Sequence, residues 1–447
     1  MRTDRKLVVR VVAVVAVVVA LAAVTAVLAG ASQGGVAGAQ KTLVNTSVSG
    51  KVSFDGIWTG TEQTAFEKVI KGFNKQFPKV KVSYKPVGNN LPTVLATAIA
   101  AGNPPDMADI AQPGFMKQLA QQHHLKPITY AKTSVQKNFG SAWVKLGSVG
   151  SKLYAVVYKA ANKSTLWYNV PDFKQAGVKA PHTWSQLSKD AKTLKAAGIP
   201  AWSLCGASGW TLTDLFENIY LRTFGPAKYN ALTVHKIKWT DGSVTKALTE
   251  MKQIIGDSTN LAGGRNGAVQ TDFPTCVDNA FGTPSKGAMV PEADFVGGAI
   301  LTDTKSKPGT GFNAVAFPTI TNKSADSSAV EIGGDLMVTF RDTPAIRAFV
   351  TYLASAKAAT IWAHIGGFGT GNKKVSPSVY PDKITRATES PIGKAKSVVF
   401  DMSDEQKAAF GSTAGQGEWG IFQKFLENPS NIQSIQQQLE AAWKAAQ

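Results

Sequence analysis

Glu292 and Asp294 stand two residues apart in Pro291-Glu292-Ala293-Asp294-Phe295. A pair of carboxylates is the minimum equipment for general acid and base cleavage of a glycosidic bond. Two carboxylates in one short segment also read as hydrogen-bonding groups or as a solvated surface pair, and catalysis is the least favoured of these readings. No G-x-S-x-G elbow, phosphate-binding P-loop, H-E-x-x-H or calcium loop accompanies them. Gly206-Ala207-Ser208-Gly209 lacks the elbow spacing, and Asn372 stands where the run Gly366, Gly367, Gly369 and Gly371 would need its last glycine to match G-x-G-x-x-G. With 5 His and 2 Cys in 447 residues, and no third ligand beside His123-His124, a zinc centre is not expected. The expectation is no catalytic residue, no metal and no cofactor.

Other polar and aromatic groups occupy positions where a ligand could use them. Asp294 and Asp335 are embedded in apolar or glycine-rich segments, where a fixed acceptor is more useful than a solvated charge. Asp109 ends a short strand-like run. Trp58 follows the carboxyl end of another, the edge at which open α/β sheets place ligands, although a buried packing role explains it equally well. Thr61 and Glu62 fall in the next helical turn, where Glu62 also reads as the capping-box partner of Thr59. Glu418-Trp419, between glycines, offers an aromatic plane.

The elements that must position these groups are legible from periodicity. Val52, Phe54 and Gly56 alternate as a strand, followed by a helical stripe of Ala65, Phe66, Val69, Ile70, Phe73 and Phe77 that Pro78 stops. Val80, Val82 and Tyr84 form a second strand, residues 91–101 a second helix, and residues 107–111 a third strand. This β-α-β-α-β order predicts an open parallel sheet. Thr183 to Gln186 is a capping box, and helices are expected over Leu212 to Tyr220 and Ile432 to Trp443. Strand-like runs return at 312–317 and 336–340, far along the chain, which suggests domains built from discontinuous segments.

Arg2, Arg5, Lys6 and Arg10 precede an apolar run over residues 11–29, and Ala37-Gly38-Ala39 offers a cleavage site. That order predicts an export signal over 1–39, either cleaved or retained as an anchor. The formal charge is +18 and would be +15 without residues 1–39. Dispersed lysines without a recognition motif argue against nucleic acid, leaving attraction to anionic envelope polymers or plain solubility. In an exported chain Cys205 and Cys276 are permitted to form a disulfide.

The stretch Leu166-Trp167-Tyr168-Asn169-Val170-Pro171-Asp172-Phe173-Lys174-Gln175-Ala176-Gly177, with Pro181-His182-Thr183-Trp184 after it, resembles a signature of extracellular solute-binding protein family 1, the carbohydrate-binding components of ABC importers related to the maltose-binding protein. Trp58-Thr59-Gly60, Pro104-Pro105-Asp106, Trp210 to Phe216, Lys286 to Met289, Glu292 to Phe295, Phe317-Pro318, Gly333-Gly334-Asp335 and Gly366-Gly367-Phe368 follow in the expected order. The resemblance implies a two-lobe α/β fold of the periplasmic-binding-protein type, with discontinuous domains, hinges and an interlobe cleft. On that template one lobe takes residues 48–112 and 318–368, the other 115–315 and 376–447, with hinges near 111–114, 317–318 and 366–372. It places Trp210 and Phe295 in cleft loops and adds Asn162 by position. It implies a non-enzymatic, monomeric protein that binds a mono- or oligosaccharide and delivers it to membrane permease subunits. An exported glycan-acting enzyme and a wall-associated carbohydrate-binding protein are the alternatives. Relatives in single-membrane bacteria often carry a lipidated cysteine after Leu-Ala-Gly; here Leu28-Ala29-Gly30 is followed by Ala31, which has no thiol to acylate.

Overall fold

A computed structural model of the chain describes residues 44–320, 329–393 and 397–447. The expected export segment, 1–39, lies outside the described residues. Among the described residues no helix is long and apolar enough to cross a membrane.

The strands are β1 (Gly50–Gly56), β2 (Val80–Pro86), β3 (Met107–Ile110), β4 (Ser148–Val149), β5 (Lys152–Leu153), β6 (Ala155–Asn162), β7 (Thr165–Asn169), β8 (Met289–Val290), β9 (Phe312–Ala316), β10 (Ala329–Thr339) and β11 (Ser397–Phe400). The expected β-α-β-α-β unit is present: β1 pairs in parallel with both β2 and β3, joined by helices Gly60–Gln76 and Leu91–Ala100. β10 is long enough to serve two neighbourhoods. Its first residues run parallel to β11, while Leu336 to Thr339 run antiparallel to β3. β6 lies antiparallel along most of β10, with the register shifting between Asp335 and Leu336. A separate three-stranded sheet has the order β8-β7-β9.

Two large cores flank this crossing pair. One joins Val52 and Phe54 of β1 to Phe66, Val69 and Phe73 of the first helix and to Phe349, Val350 and Trp362. The other joins Leu215, Phe216 and Ile219 of helix Trp210–Thr233 to Phe422 and Phe425 of helix Gly417–Glu427 and Leu439 of helix Ile432–Ala445. Segregation of burial into two cores follows from length, since a chain beyond roughly 250 residues stops enlarging a single core.

Near the expected hinge at 111–114, Pro113 opens helix Pro113–Gln121, whose Phe115, Met116 and Leu119 pack with Leu91, Leu95 and Leu336. Val135 and Val144 join the core built on β1. One expectation, the capping box at Thr59, is corrected by the structure. Thr59 is the N-cap of its helix but makes no side-chain cap bond, and Glu62 turns away to Lys159. By contrast, Thr183 caps its helix through the Gln186 amide at 3.2 Å, as its capping box predicts.

Cys205 and Cys276 are joined, with Cα atoms 5.2 Å apart across 71 residues of chain. The bridge is buried beside Trp167, Val277 and Phe281.

Candidate functional site

A cleft opens between the carboxyl ends of β1, β2 and β3 and the facing helices. Ile57 and Trp58 follow β1, Asn89 follows β2, and Ala111 and Gln112 follow β3, so the parallel sheet contributes one wall from the edge where its loops converge. Trp210, Phe295, Asp404 and Trp419 form the opposite wall. The floor is the crossing pair itself: Lys159, Ala160, Ala161 and Lys163 from β6 and the residues after it, and Gly333, Gly334 and Asp335 from β10. The two glycines permit this close pairing, since a Cβ at Gly333 would stand 2.7 Å from Lys163 Cε and one at Gly334 2.9 Å from Val157 Cγ1.

The aromatic groups have distinct roles. Trp58 is only 1% exposed, stacking edge-on against Trp362 at 4.7 Å, and its indole N–H donates to Asp335 Oδ2 at 2.8 Å. It is both a core residue and a wall of the cleft. Trp210 and Phe295 face each other across 6.0 Å, and Phe273 braces Phe295 at 5.3 Å. Trp419 is buried except for the face it shows the cleft, and its indole N–H has no partner.

The charges are already arranged in closed groups. Lys159 Nζ bonds Glu62 and lies 3.8 Å from Asp335 and 4.9 Å from the Phe295 ring. Burial works against its charge, but Glu62 and Asp335 outweigh burial and hold its pKa above the usual lysine value. Lys163 bonds Asp214 at 2.9 Å and Asp401, which likewise overcome burial. The oxygens of Asp214, Glu331 and Asp401 lie close enough to ligate a cation, but the Lys163 ammonium is bonded to two of the three. Beneath these groups, Asp109 accepts the Ile57 N–H at 2.7 Å while its other oxygen is unpartnered; burial and then Asp335 push its carboxyl well up.

Of the residues singled out in the sequence, Trp58, Glu62, Trp210, Phe295, Asp335 and Trp419 line the cleft. Thr61 lines a small adjoining recess shared with Glu62 and Phe295. Asp109, Asn162, Asp294 and Glu292 lie behind the lining. Asp294 Oδ2 accepts the Asn162 N–H at 2.9 Å, and the Asn162 amide donates to the Thr388 carbonyl at 2.8 Å, so this pair braces the end of β6. Glu292 Oε2 accepts the Ala293 N–H at 2.7 Å. Burial raises both Glu292 and Asp294 to about 7. Lys159, Lys163, Gln112, Asp404 and Asn89 were not anticipated. A signal for Lys159 existed: one lysine inside Ala155-Val156-Val157-Tyr158-Lys159-Ala160-Ala161, a run apolar on both faces, needs an anion beside it.

The lining presents hydrogen-bonding groups and aromatic faces to the cleft. Gln112 Oε1 and the Trp419 indole N–H are buried there without partners. Asn89 Nδ2 donates to Ser208 Oγ at 2.9 Å, linking the two walls at the rim.

The fold is shared with solved structures. The bacterial solute receptor AcbH, whose crystal structures describe an exclusive preference for β-D-galactopyranose, superposes with a TM-score of 0.76 at 17% identity, over 88% of this chain and 98% of that one. The binding protein RafE in complex with raffinose gives a TM-score of 0.72 at 18% identity, over 89% of this chain and 100% of that one. In sequence, the chain is 28% identical over 368 residues to the osmoprotective compounds-binding protein GgtB of Synechocystis sp., covering 81% of this chain and 86% of the relative. It is 28% identical over 371 residues to the alpha-glucosides-binding periplasmic protein AglE of Rhizobium meliloti, covering 80% of each. Residues 58–360 match the family model of the bacterial extracellular solute-binding proteins, and with that match spanning well over half its length, the chain belongs to this family.

Proposed function

We propose that the chain captures a small, neutral carbohydrate or polyol in the cleft and delivers it to the membrane permease of an ABC importer, without transforming it. The supporting observation is the combination of aromatic faces at Trp210, Phe295 and Trp419 with two planar groups, Gln112 Oε1 and the Trp419 N–H, that are buried and unpartnered. A pyranose has an apolar C–H face for the rings and a rim of hydroxyls for the amide and indole. The relatives named for α-glucosides and osmoprotective compounds, and the raffinose-bound neighbour, favour the same class.

The charges favour a neutral ligand over a phosphorylated one. Both lysines at the floor are engaged by carboxylates, and Glu62, Asp335 and Asp404 also line the cleft. A phosphate would meet neutralised cations and surplus acceptors. Glu292 and Asp294, the pair considered for glycoside cleavage, lie behind the lining and accept backbone N–H groups, which favours binding over cleavage by that pair.

The proposed lobes follow the two cores. The first takes residues 48–157, 336–365 and 373–380, the second 163–320, 329–332 and 397–447, and the hinge comprises the middle of β6, the Gly333-Gly334-Asp335 stretch of β10 and the 366–372 segment. A ligand touching both walls favours the closed arrangement by its differential affinity, and closure is the signal a permease would read. Residues 1–39 would direct export. The reading is tested by thermal shift with a panel of neutral mono- and disaccharides, because a ligand bound only to the native state raises its melting temperature. Stabilisation by a neutral sugar with no product after prolonged incubation is expected; turnover of the stabilising glycan would establish the enzyme instead.

A further inference from the structure

A second, open cavity lies away from the cleft, between residues 139–143 and the segments 370–380 and 389–392. Its floor is built from buried groups: Phe139, Tyr380, Asn372, Glu389 and Ile392 are each less than a tenth exposed. Trp143 lines one side and is held against the backbone at Gly371, where a Cβ would lie 2.3 Å from the indole.

The polar atoms on this floor are incompletely used. Asn372 Oδ1 accepts the Lys374 N–H at 3.1 Å, yet its Nδ2 donor is buried with no partner. Glu389 Oε1 accepts the N–H groups of Gly367 and Phe368 at 2.9 and 3.1 Å. Its Oε2, with only the Tyr380 hydroxyl at hand, makes no hydrogen bond of ordinary geometry. Burial, reinforced by Asp294, pushes this carboxyl well above the usual range. Buried polar atoms left without partners are uncommon in native proteins and call for an occupant.

We propose that this cavity is a second binding site, for a small neutral polyhydroxy ring such as a pyranose or a cyclitol, with Asn372 Nδ2 and the Glu389 carboxyl bonding its hydroxyls and Trp143 covering its apolar face. The floor groups are an amide and a carboxyl, with no buried cation beside them to hold an anion, and the lysine at the mouth, Lys373, is exposed to solvent. The site does not depend on what the cleft holds. It does touch the machinery beneath the cleft, because Glu389 fixes Gly367 and Phe368, and the next carbonyl, of Gly369, accepts the Ala160 N–H of β6 at 2.9 Å.

The test is saturation-transfer NMR on the full chain with millimolar D-glucose and myo-inositol as probes, using three substitutions. Trp210→Ala impairs the cleft, Ser141→Trp fills the mouth of the second cavity from an exposed position, and Asn372→Leu removes the free donor. Transfer to a probe that persists in Trp210→Ala and weakens about tenfold in apparent affinity when Ser141→Trp is added to that variant supports the second site. Ser141→Trp alone should leave cleft binding unchanged, and Asn372→Leu in the Trp210→Ala background, if folded by its melting temperature, should repeat the loss. Undiminished transfer in both of these double variants, or none to either probe in Trp210→Ala, overturns the proposal.

Discussion

Lys163 is the residue on which most of the buried charge depends. Its ammonium answers Asp214 and Asp401 in a region that also buries Glu292, Glu331 and Asp404. Replacing it by methionine would keep much of the side-chain volume while leaving two carboxylates uncompensated, and removing one partner of a buried ion pair costs roughly 3–5 kcal/mol. Urea denaturation of Lys163→Met should show a loss of that size at neutral pH; an unchanged midpoint would mean the carboxylates are not charged as the geometry implies. The pH response has a definite sign. Glu292 and Asp294, both raised to about 7 by burial, hold protons in the folded chain that the unfolded chain releases near pH 4. Their contribution to stability is therefore fully present below about pH 4 and is lost as pH rises through about 7, while Asp401, lowered by Lys163 against its burial, loses its contribution in acid. Denaturation midpoints should fall from about pH 5.5 to pH 8, and Asp294→Asn should flatten that fall. A midpoint that rises over this interval contradicts the assignment. These groups show what one sequence can reveal. Trp58 reads as either platform or packing residue, and it packs on Trp362 while lining the cleft, whereas Lys163 escapes notice because its partners come from residues 214 and 401, which only the folded chain brings together.

Periodicity is a local property, and the elements it governs were the most legible. The β-α-β-α-β opening, the helical stripes at 212–220 and 432–443 and the cap at Thr183 all follow from spacing within one segment. Where the chain passes from one core to the other was not legible. A strand that crosses, such as β6, reads like any apolar strand, and the change of surroundings along it is set by partners on β10. Close approach of elements gives a test here. A Cβ at Gly298, in helix Val296–Asp303, would lie 2.8 Å from Gly367 Cα, a backbone atom that a rotamer change cannot move. Gly298→Val should destabilise by roughly 1–3 kcal/mol through overpacking. A denaturation midpoint within error of the parent would show that the 366–372 segment yields freely. The disulfide acts over a longer range: Cys205–Cys276 closes 71 residues inside the core that holds Trp167. The double variant Cys205→Ser with Cys276→Ser should lose about 2–5 kcal/mol, measured by the same denaturation, with no change in secondary structure.

At the scale of the molecule, the two cores and the crossing pair β6–β10 explain why a cleft exists at all. Each lobe ends its own packing at the same pair of strands, and the loops at the carboxyl ends of β1, β2 and β3 meet the helices that carry Trp210 and Trp419. The formal charge of +18 belongs to the whole chain and says little about this site, whose two lysines are neutralised by neighbouring carboxylates. Ligand specificity should therefore follow the lining rather than the exterior. The most direct measurement is calorimetric titration of the full chain with neutral mono- and disaccharides and with their phosphate esters, repeated on Trp210→Ala. At least one neutral sugar should bind, its phosphate ester should bind more weakly, and loss of the Trp210 ring should reduce affinity by about tenfold, or roughly 1.4 kcal/mol. Tighter binding of the phosphate ester, or affinity for the neutral sugar that is indifferent to Trp210, would contradict capture of a neutral sugar in this cleft.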